Sequence, residues 1–208
     1  MNGRSGPLKG FVVIEGIDGS GTTTQMRLLA ERLRATGRSA WLTSEPTERP
    51  MGLVARRILS GELAVSPETV AHVFAADRCD HLTSPGGIRE HLERGDIVVC
   101  DRYKYSSLAY QGIDADESLV ARLNDAFDDP ELVLFLDVPV DVGEQRLASR
   151  PSREIYERLE YQERVRARYL EILGRAREAT TVEVIDATAG EAEIAGKIWR
   201  TLEETSIL

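Results

Sequence analysis

The sequence predicts an α/β fold, a parallel β-sheet covered by helices on both faces, and three observations point to it. Ile97-Val98-Val99-Cys100-Asp101 and Leu132-Val133-Leu134-Phe135-Leu136-Asp137 are continuous rather than alternating apolar runs, as strands buried on both faces require. Helical spacing of apolar residues separates such runs, and strand–helix alternation with right-handed crossovers builds a parallel sheet. The 208 residues suit one domain with a real core, and no repeat, low-complexity stretch or second boundary interrupts them.

Taken in order, Met1 to Gly10 is polar and Gly-rich and reads as a flexible tail, with the domain spanning 11–208. Phe11-Val12-Val13-Ile14-Glu15 is the first strand and ends in a glycine-rich turn. Met26, Leu29 and Leu33 form one helical stripe that Gly37 stops. Ala40-Trp41-Leu42-Thr43 is a second strand, followed by a Pro-containing loop and a short helix over Gly52–Ser60. Ser66-Pro67-Glu68 opens a helix with a hydroxyl N-cap, Pro at the first position and an acid in the first turn. That helix is expected to run to about Glu93. Further helices are expected over Val140–Ser149, Glu154–Ala179 and Glu191–Glu203, with Val182–Asp186 as the weakest strand. Arg150-Pro151-Ser152-Arg153 breaks the helical pattern as a mobile segment would.

Composition bounds the function. Lys+Arg number 26 against 35 Asp+Glu, a net charge of −9, whereas proteins that track phosphate backbones are usually basic; no nucleic-acid partner is expected. A small anionic ligand needs only a local cluster, and Pro139 to Arg177 carries nine arginines against seven acids. The longest apolar run, Leu132 to Leu136, is too short to span a bilayer, so no membrane partner is expected and the chain reads as cytoplasmic. Cys79 and Cys100 cannot make a disulfide framework, and the three histidines show no Cys/His ligand cluster.

Gly16-Ile17-Asp18-Gly19-Ser20-Gly21-Thr22-Thr23 lies between a strand and a helix. Such a turn aims backbone N–H groups and a helix N-terminus at polyphosphate. Its spacing fits G-x-x-x-x-G-K-[ST] except that Thr22 stands where lysine belongs; Thr23 holds the hydroxyl position that ligates Mg²⁺. Three readings compete: a turn without ligand, a dinucleotide site with Glu45 as ribose acid, and a nucleotide-phosphate site lacking its cation. Thr24 stands where the dinucleotide motif wants its third glycine.

Later residues bear on the choice. Asp101-Arg102-Tyr103-Lys104-Tyr105-Ser106-Ser107-Leu108-Ala109-Tyr110 resembles the D-R-[YH]-x-x-S-x-x-A-[YF] signature of thymidylate kinases. Glu15-Gly16-Ile17-Asp18-Gly19, Glu45-Pro46-Thr47, Phe74-Ala75-Ala76-Asp77-Arg78, Pro130 to Asp137 and Tyr161-Gln162-Glu163-Arg164 continue the resemblance in order from about Phe11 to Asp186. It implies a P-loop kinase-like three-layer sandwich, with a five-stranded parallel sheet between helices and a short lid about 146–157. It implies transfer of the ATP γ-phosphoryl to dTMP with Mg²⁺, and a homodimer. Another nucleoside or nucleotide kinase, or a nucleotide-binding pseudokinase, is the alternative. A regulatory GTPase finds no N-K-x-D run.

The same resemblance implies site residues. Gly16, Asp18, Gly19, Ser20, Gly21, Thr22, Thr23, Thr24 and Arg146 would bind the donor nucleotide, with Thr23 and Asp101 serving Mg²⁺. Arg102 would clamp phosphate where donor meets acceptor, its planar fork suiting oxygens better than a lysine would. Asp18 would act at the acceptor phosphate and sugar. Phe74 would stack on thymine and Arg78, four residues on and hence on the same helix face, would donate to a pyrimidine carbonyl. Tyr110 would crowd the sugar, Ser107 and Gln111 would approach the base edge, and Arg49 would reach the acceptor phosphate. Arg153 in the lid, with Arg102 and Mg²⁺, would take over the task of the missing lysine.

Overall fold

The computed structural model describes residues 6–147 and 159–208. Five strands, β1 (Leu8–Gly16), β2 (Ala40–Ser44), β3 (Ile97–Asp101), β4 (Pro130–Asp137) and β5 (Thr181–Asp186), form one sheet in the order β2-β3-β1-β4-β5. Every pairing is parallel. The continuous apolar runs occupy its centre: Phe11 to Ile14, Val98 to Cys100 and Leu132 to Leu136 are each 0% exposed. Alternate side chains go to opposite faces. Phe11, Val13, Val98 and Cys100 pack with Leu82, Ile88 and Tyr103, whereas Val12, Ile14, Ile97 and Val99 join a larger cluster with Leu29, Leu33, Ile194 and Ile198.

The helices are α1 (Thr22–Ala35), α2 (Pro50–Leu59), α3 (Pro67–Thr83), α4 (Ile88–Glu93), α5 (Lys104–Asp114), α6 (Glu117–Asp125), α7 (Val140–Leu147), α8 (Leu159–Ala176) and α9 (Glu191–Glu204). The predicted N-cap of α3 is present: Ser66 accepts the Thr69 N–H at 3.3 Å, ahead of Pro67 and Glu68.

Several boundaries differ from those read in the sequence. β1 begins at Leu8, so Leu8-Lys9-Gly10 belong to the sheet rather than to a tail: Leu8 N–H donates to the Asp129 carbonyl, and Gly10 N–H to Glu131 Oε2. The long helix expected from Ser66 to Glu93 is two helices. Pro85 forces Ser84 into extended backbone (ψ 158), Gly86 turns at φ +70, and a Cβ on Gly87 would lie 2.5 Å from the His81 carbonyl. His91 therefore sits on α4, apart from His72 and His81 on α3. Of the two cysteines, Cys100 is buried and Cys79 is exposed. The expected lid about 146–157 contributes Arg146 and Leu147 to the end of α7, while its remainder, with Arg150 and Arg153, lies outside the described residues. Among the described residues no helix is long and apolar enough to cross a membrane.

Candidate active site

Parallel strands deliver their following loops to one edge of the sheet, so the segments after β1, β2 and β3 converge. A cleft of about 590 Å³ opens there, lined by the turn Ile17–Gly21, the start of α1, Glu45 and Pro46, Phe74 and Arg78 of α3, Asp101 and Arg102, and Arg146 of α7.

The glycine-rich turn is shaped by close packing. Ser20 N–H closes onto the Ile17 carbonyl at 3.1 Å. At Gly19 (φ +81) a Cβ would lie 2.2 Å from the Gly143 carbonyl, so only glycine lets α7 seat against the turn. Gly21 caps α1 in the left-handed region, and among the described residues no side chain bonds to the helix N-terminus and no acid stands in the first turn. The first amides of α1 and its dipole are thereby left for an anion. Thr22 and Thr23 each donate a hydroxyl to Asp101 Oδ2 at 3.2 Å. Burial, the largest influence, raises the Asp101 carboxyl above its ordinary value although Arg102 pulls it down, and Asp101 Oδ1 is buried with no hydrogen-bond partner among the described residues. A hard carboxylate oxygen left open beside a threonine hydroxyl suits Mg²⁺.

Beyond β3 the chain takes an uncommon course. Arg102 N–H extends the ladder to the Ile14 carbonyl at 2.9 Å, after which Arg102 itself adopts φ +68. Such a conformation costs a non-glycine residue about 1 kcal/mol. What holds it is Glu15, fully buried at the end of β1. Its Oε1 accepts Tyr103 N–H at 2.9 Å, and its Oε2 accepts the hydroxyls of Ser106 at 2.7 Å and Tyr169 at 2.9 Å. Burial outweighs these bonds and pushes the Glu15 carboxyl up to about 7. The outcome is that the Arg102 guanidinium meets Asp18 Oδ1 and lies 5.2 Å from the centre of the Tyr110 ring. Gln162 of α8 completes the group, donating to Asp18 Oδ2 at 2.8 Å.

The opposite end of the cleft carries Phe74, half-buried, and Arg78, 1% exposed. Arg78 donates through Nε to Glu45 Oε2 at 2.9 Å, through Nη1 to Asn124 Oδ1, and through Nη2 to Ser107 Oγ at 3.1 Å. His81 Nδ1 lies 3.0 Å from Glu45 Oε1, and its Nε2 lies 2.7 Å from Thr43 Oγ1. A buried arginine fixed from so many sides offers a directed donor rather than a mobile charge. Gln111 lies on the same wall, its Oε1 buried and without a partner among the described residues.

Of the residues expected from the sequence, Gly19, Ser20, Gly21, Thr22, Thr23, Thr24, Asp18, Phe74, Arg78, Asp101, Arg102, Tyr110, Gln111 and Arg146 line this one cleft. Gly16 stands behind it, where a Cβ would lie 2.3 Å from Ser20 Oγ. Ser107 is buried behind Arg78 rather than on the wall. Arg49 points elsewhere, donating to the Pro85 carbonyl at 3.0 Å and lying 3.6 Å from Asp80. Arg56 of α2 lines the cleft in its stead, anchored on the Pro46 and Thr47 carbonyls. Arg153 lies outside the described residues. Sequence reading also passed over Glu15 and Gln162 as site residues; an acid ending an otherwise apolar strand was the available signal for Glu15.

The family model for thymidylate kinase matches residues 14–198. The chain is 42% identical over 203 residues to a thymidylate kinase of Thermomicrobium roseum, covering 93% of this chain and 94% of that one. It is 39% identical to the putative thymidylate kinase of Treponema pallidum (88% and 89% covered) and 39% identical to a probable thymidylate kinase of Methanocaldococcus jannaschii (88% and 89% covered). A match of this extent, with the turn, the strand-end arginine and the Phe74–Arg78 pair gathered in one cleft, establishes that the chain belongs to the thymidylate kinase family.

Proposed function

We propose that this chain transfers the γ-phosphoryl of ATP to dTMP, giving dTDP and ADP. The observation that carries the reading is the continuity of one cleft from the glycine-rich turn to Phe74 and Arg78, with the Arg102–Asp18 pair between its ends. Phosphoryl transfer needs two anions held in line and their charge neutralised, with little covalent help. The turn and the first amides of α1 receive the donor phosphates. Phe74 stacks on the acceptor base, Arg78 and Gln111 meet its polar edge, and Tyr110 packs beside the sugar. Arg102 spans donor and acceptor phosphates, and Asp18, braced by Gln162, keeps the guanidinium in place. Arg56 is placed to meet the acceptor phosphate. Thr23 and Asp101 would hold Mg²⁺, which supplies positive charge at the phosphate oxygens. The protein works in the cytoplasm as a homodimer on this reading, with no nucleic-acid or membrane partner.

The test couples ADP release to acceptor addition, with dTMP, dUMP, UMP and thymidine compared. Turnover with dTMP above the other three is the expected result. ADP binding by calorimetry without dTDP formation would make the chain a nucleotide-binding pseudokinase, and preference for UMP or thymidine would reassign the acceptor. Sedimentation at micromolar concentration checks the dimer.

A further inference from the structure

The glycine-rich turn has a neutral residue, Thr22, at the position where such turns hold a lysine. Its hydroxyl and that of Thr23 converge on one oxygen of Asp101. The donor end therefore presents a carboxylate without the usual ammonium group beside it. Among the described residues the cleft is lined by four arginines and no lysine. Two of the four have their charge matched by a carboxylate: Arg78 by Glu45, and Arg102 by Asp18. Arg56 and Arg146 are held by backbone carbonyls, which leave a full positive charge in place. Arg56 sits on α2, toward the Phe74–Arg78 end, and Arg146 sits on the turn itself.

Arg146 is positioned from three sides. Its Nη1 donates to the carbonyls of Gly19 and Ser20, at 3.4 and 3.5 Å, and its Nη2 to the carbonyl of Ala187 at 2.9 Å. Gly143, three residues earlier and so on the same face of α7, touches the turn directly: a Cβ there would lie 2.7 Å from the Asp18 carbonyl. With no side chain between helix and turn, α7 cannot draw its arginine away without losing that contact. A donor placed on the Ser20 carbonyl also polarises the peptide whose N–H belongs to Gly21, which makes that amide a stronger donor.

We propose that Arg146 is this chain's substitute for the missing lysine: it supplies the positive charge that meets the donor polyphosphate at the turn. The inference rests on the phosphoryl-transfer reading for the kind of ligand but is testable without turnover.

The probe is inorganic tripolyphosphate, which has phosphates and no base, measured beside ADP by calorimetry on wild type, Arg146→Gln, Thr22→Lys and the double variant. Arg146→Gln is expected to weaken both ligands at least tenfold and, if the chain turns over dTMP, to lower kcat by ~10²–10³, the usual effect of losing one pre-organised donor. Thr22→Lys should restore binding in the Arg146→Gln background far more than it improves wild type. Equal gains in both backgrounds would overturn the proposal. So would a loss confined to ADP, which would assign Arg146 to the base, or a lysine-rescuable loss in Arg153→Ala with none in Arg146→Gln. If Arg146→Gln fails to fold, Arg146→Lys replaces it: retention of tripolyphosphate binding supports a charge role, and its loss rejects one. Absence of dTDP formation by wild type would count against the kinase reading alone, because the binding comparison stands without it.

Discussion

Replacing Glu15 by glutamine should make the stability of the fold respond differently to pH. Glu15 is 0% exposed, and its carboxyl rises from 4.5 to about 7 because burial outweighs the hydrogen bonds from Ser106, Tyr169 and Tyr103 and the nearby Arg102 charge. At about 1.4 kcal/mol per pH unit, ionising it in place costs the fold about 3 kcal/mol. In the unfolded chain the group ionises near 4.5, and in the folded chain near 7. Its stabilising contribution is therefore fully present below 4.5, is lost as pH rises toward 7, and stays lost above. Glutamine cannot ionise. It keeps an oxygen for Tyr103 N–H, and its amide can donate to the Ser106 and Tyr169 hydroxyls once these turn to accept. Urea unfolding of wild type and Glu15→Gln from pH 5 to 8 should show the variant gaining on wild type by about 2–3 kcal/mol across the range. The offset at any one pH depends on how well the amide fits; the slope does not. Parallel curves would refute the reasoning and mean that Glu15 keeps one protonation state throughout.

Other substitutions test other parts of the site. Arg102→Gly should melt above Arg102→Ala, by about 1 kcal/mol, because φ +68 suits glycine and not alanine; both should lose turnover by ~10²-fold or more. Gly19→Ala drives a Cβ into the Gly143 carbonyl and should cost about 1–3 kcal/mol in thermal stability, with ADP affinity by calorimetry falling too. Arg78→Met strands Glu45 in a buried position and should cost about 3–5 kcal/mol, whereas adding Glu45→Met should recover much of that loss. Neither variant should regain dTMP affinity, measured by titration calorimetry.

The central strands were legible because both their faces are buried, so every residue from Ile97 to Cys100 and from Leu132 to Leu136 had to be apolar. The helix break at Ser84–Gly87 was signalled by Pro85 and two glycines, but the helical spacing resumes beyond it and hides the break. Much of the cleft lining could be anticipated because it falls in short contiguous runs at strand ends. What escaped depended on direction in space. Arg49 caps the start of α2 and Arg56 lies in its last turn, and only the fold shows which enters the cleft. Glu15 shows its role only once Tyr103, Ser106 and Tyr169, from distant stretches of chain, are seen to converge on it.

The strand order has a consequence for how the protein can change. The Glu45 loop and the Asp101–Arg102 segment follow β2 and β3, on one side of β1, whereas Arg146 and Ala187 follow β4 and β5, on the other. Under the proposed reading the acceptor base is held from one half of the sheet and Arg146 meets the donor from the other, with the glycine-rich turn, Asp101 and Arg102 shared at the seam. Among the described residues Arg78 and Arg146 share no hydrogen-bond partner, and substitutions at sites without shared partners tend to combine additively. Selection for a different base at Phe74 and Arg78 can therefore proceed without disturbing phosphate capture, and a neutral residue at the turn can be offset from β4 without altering the choice of acceptor.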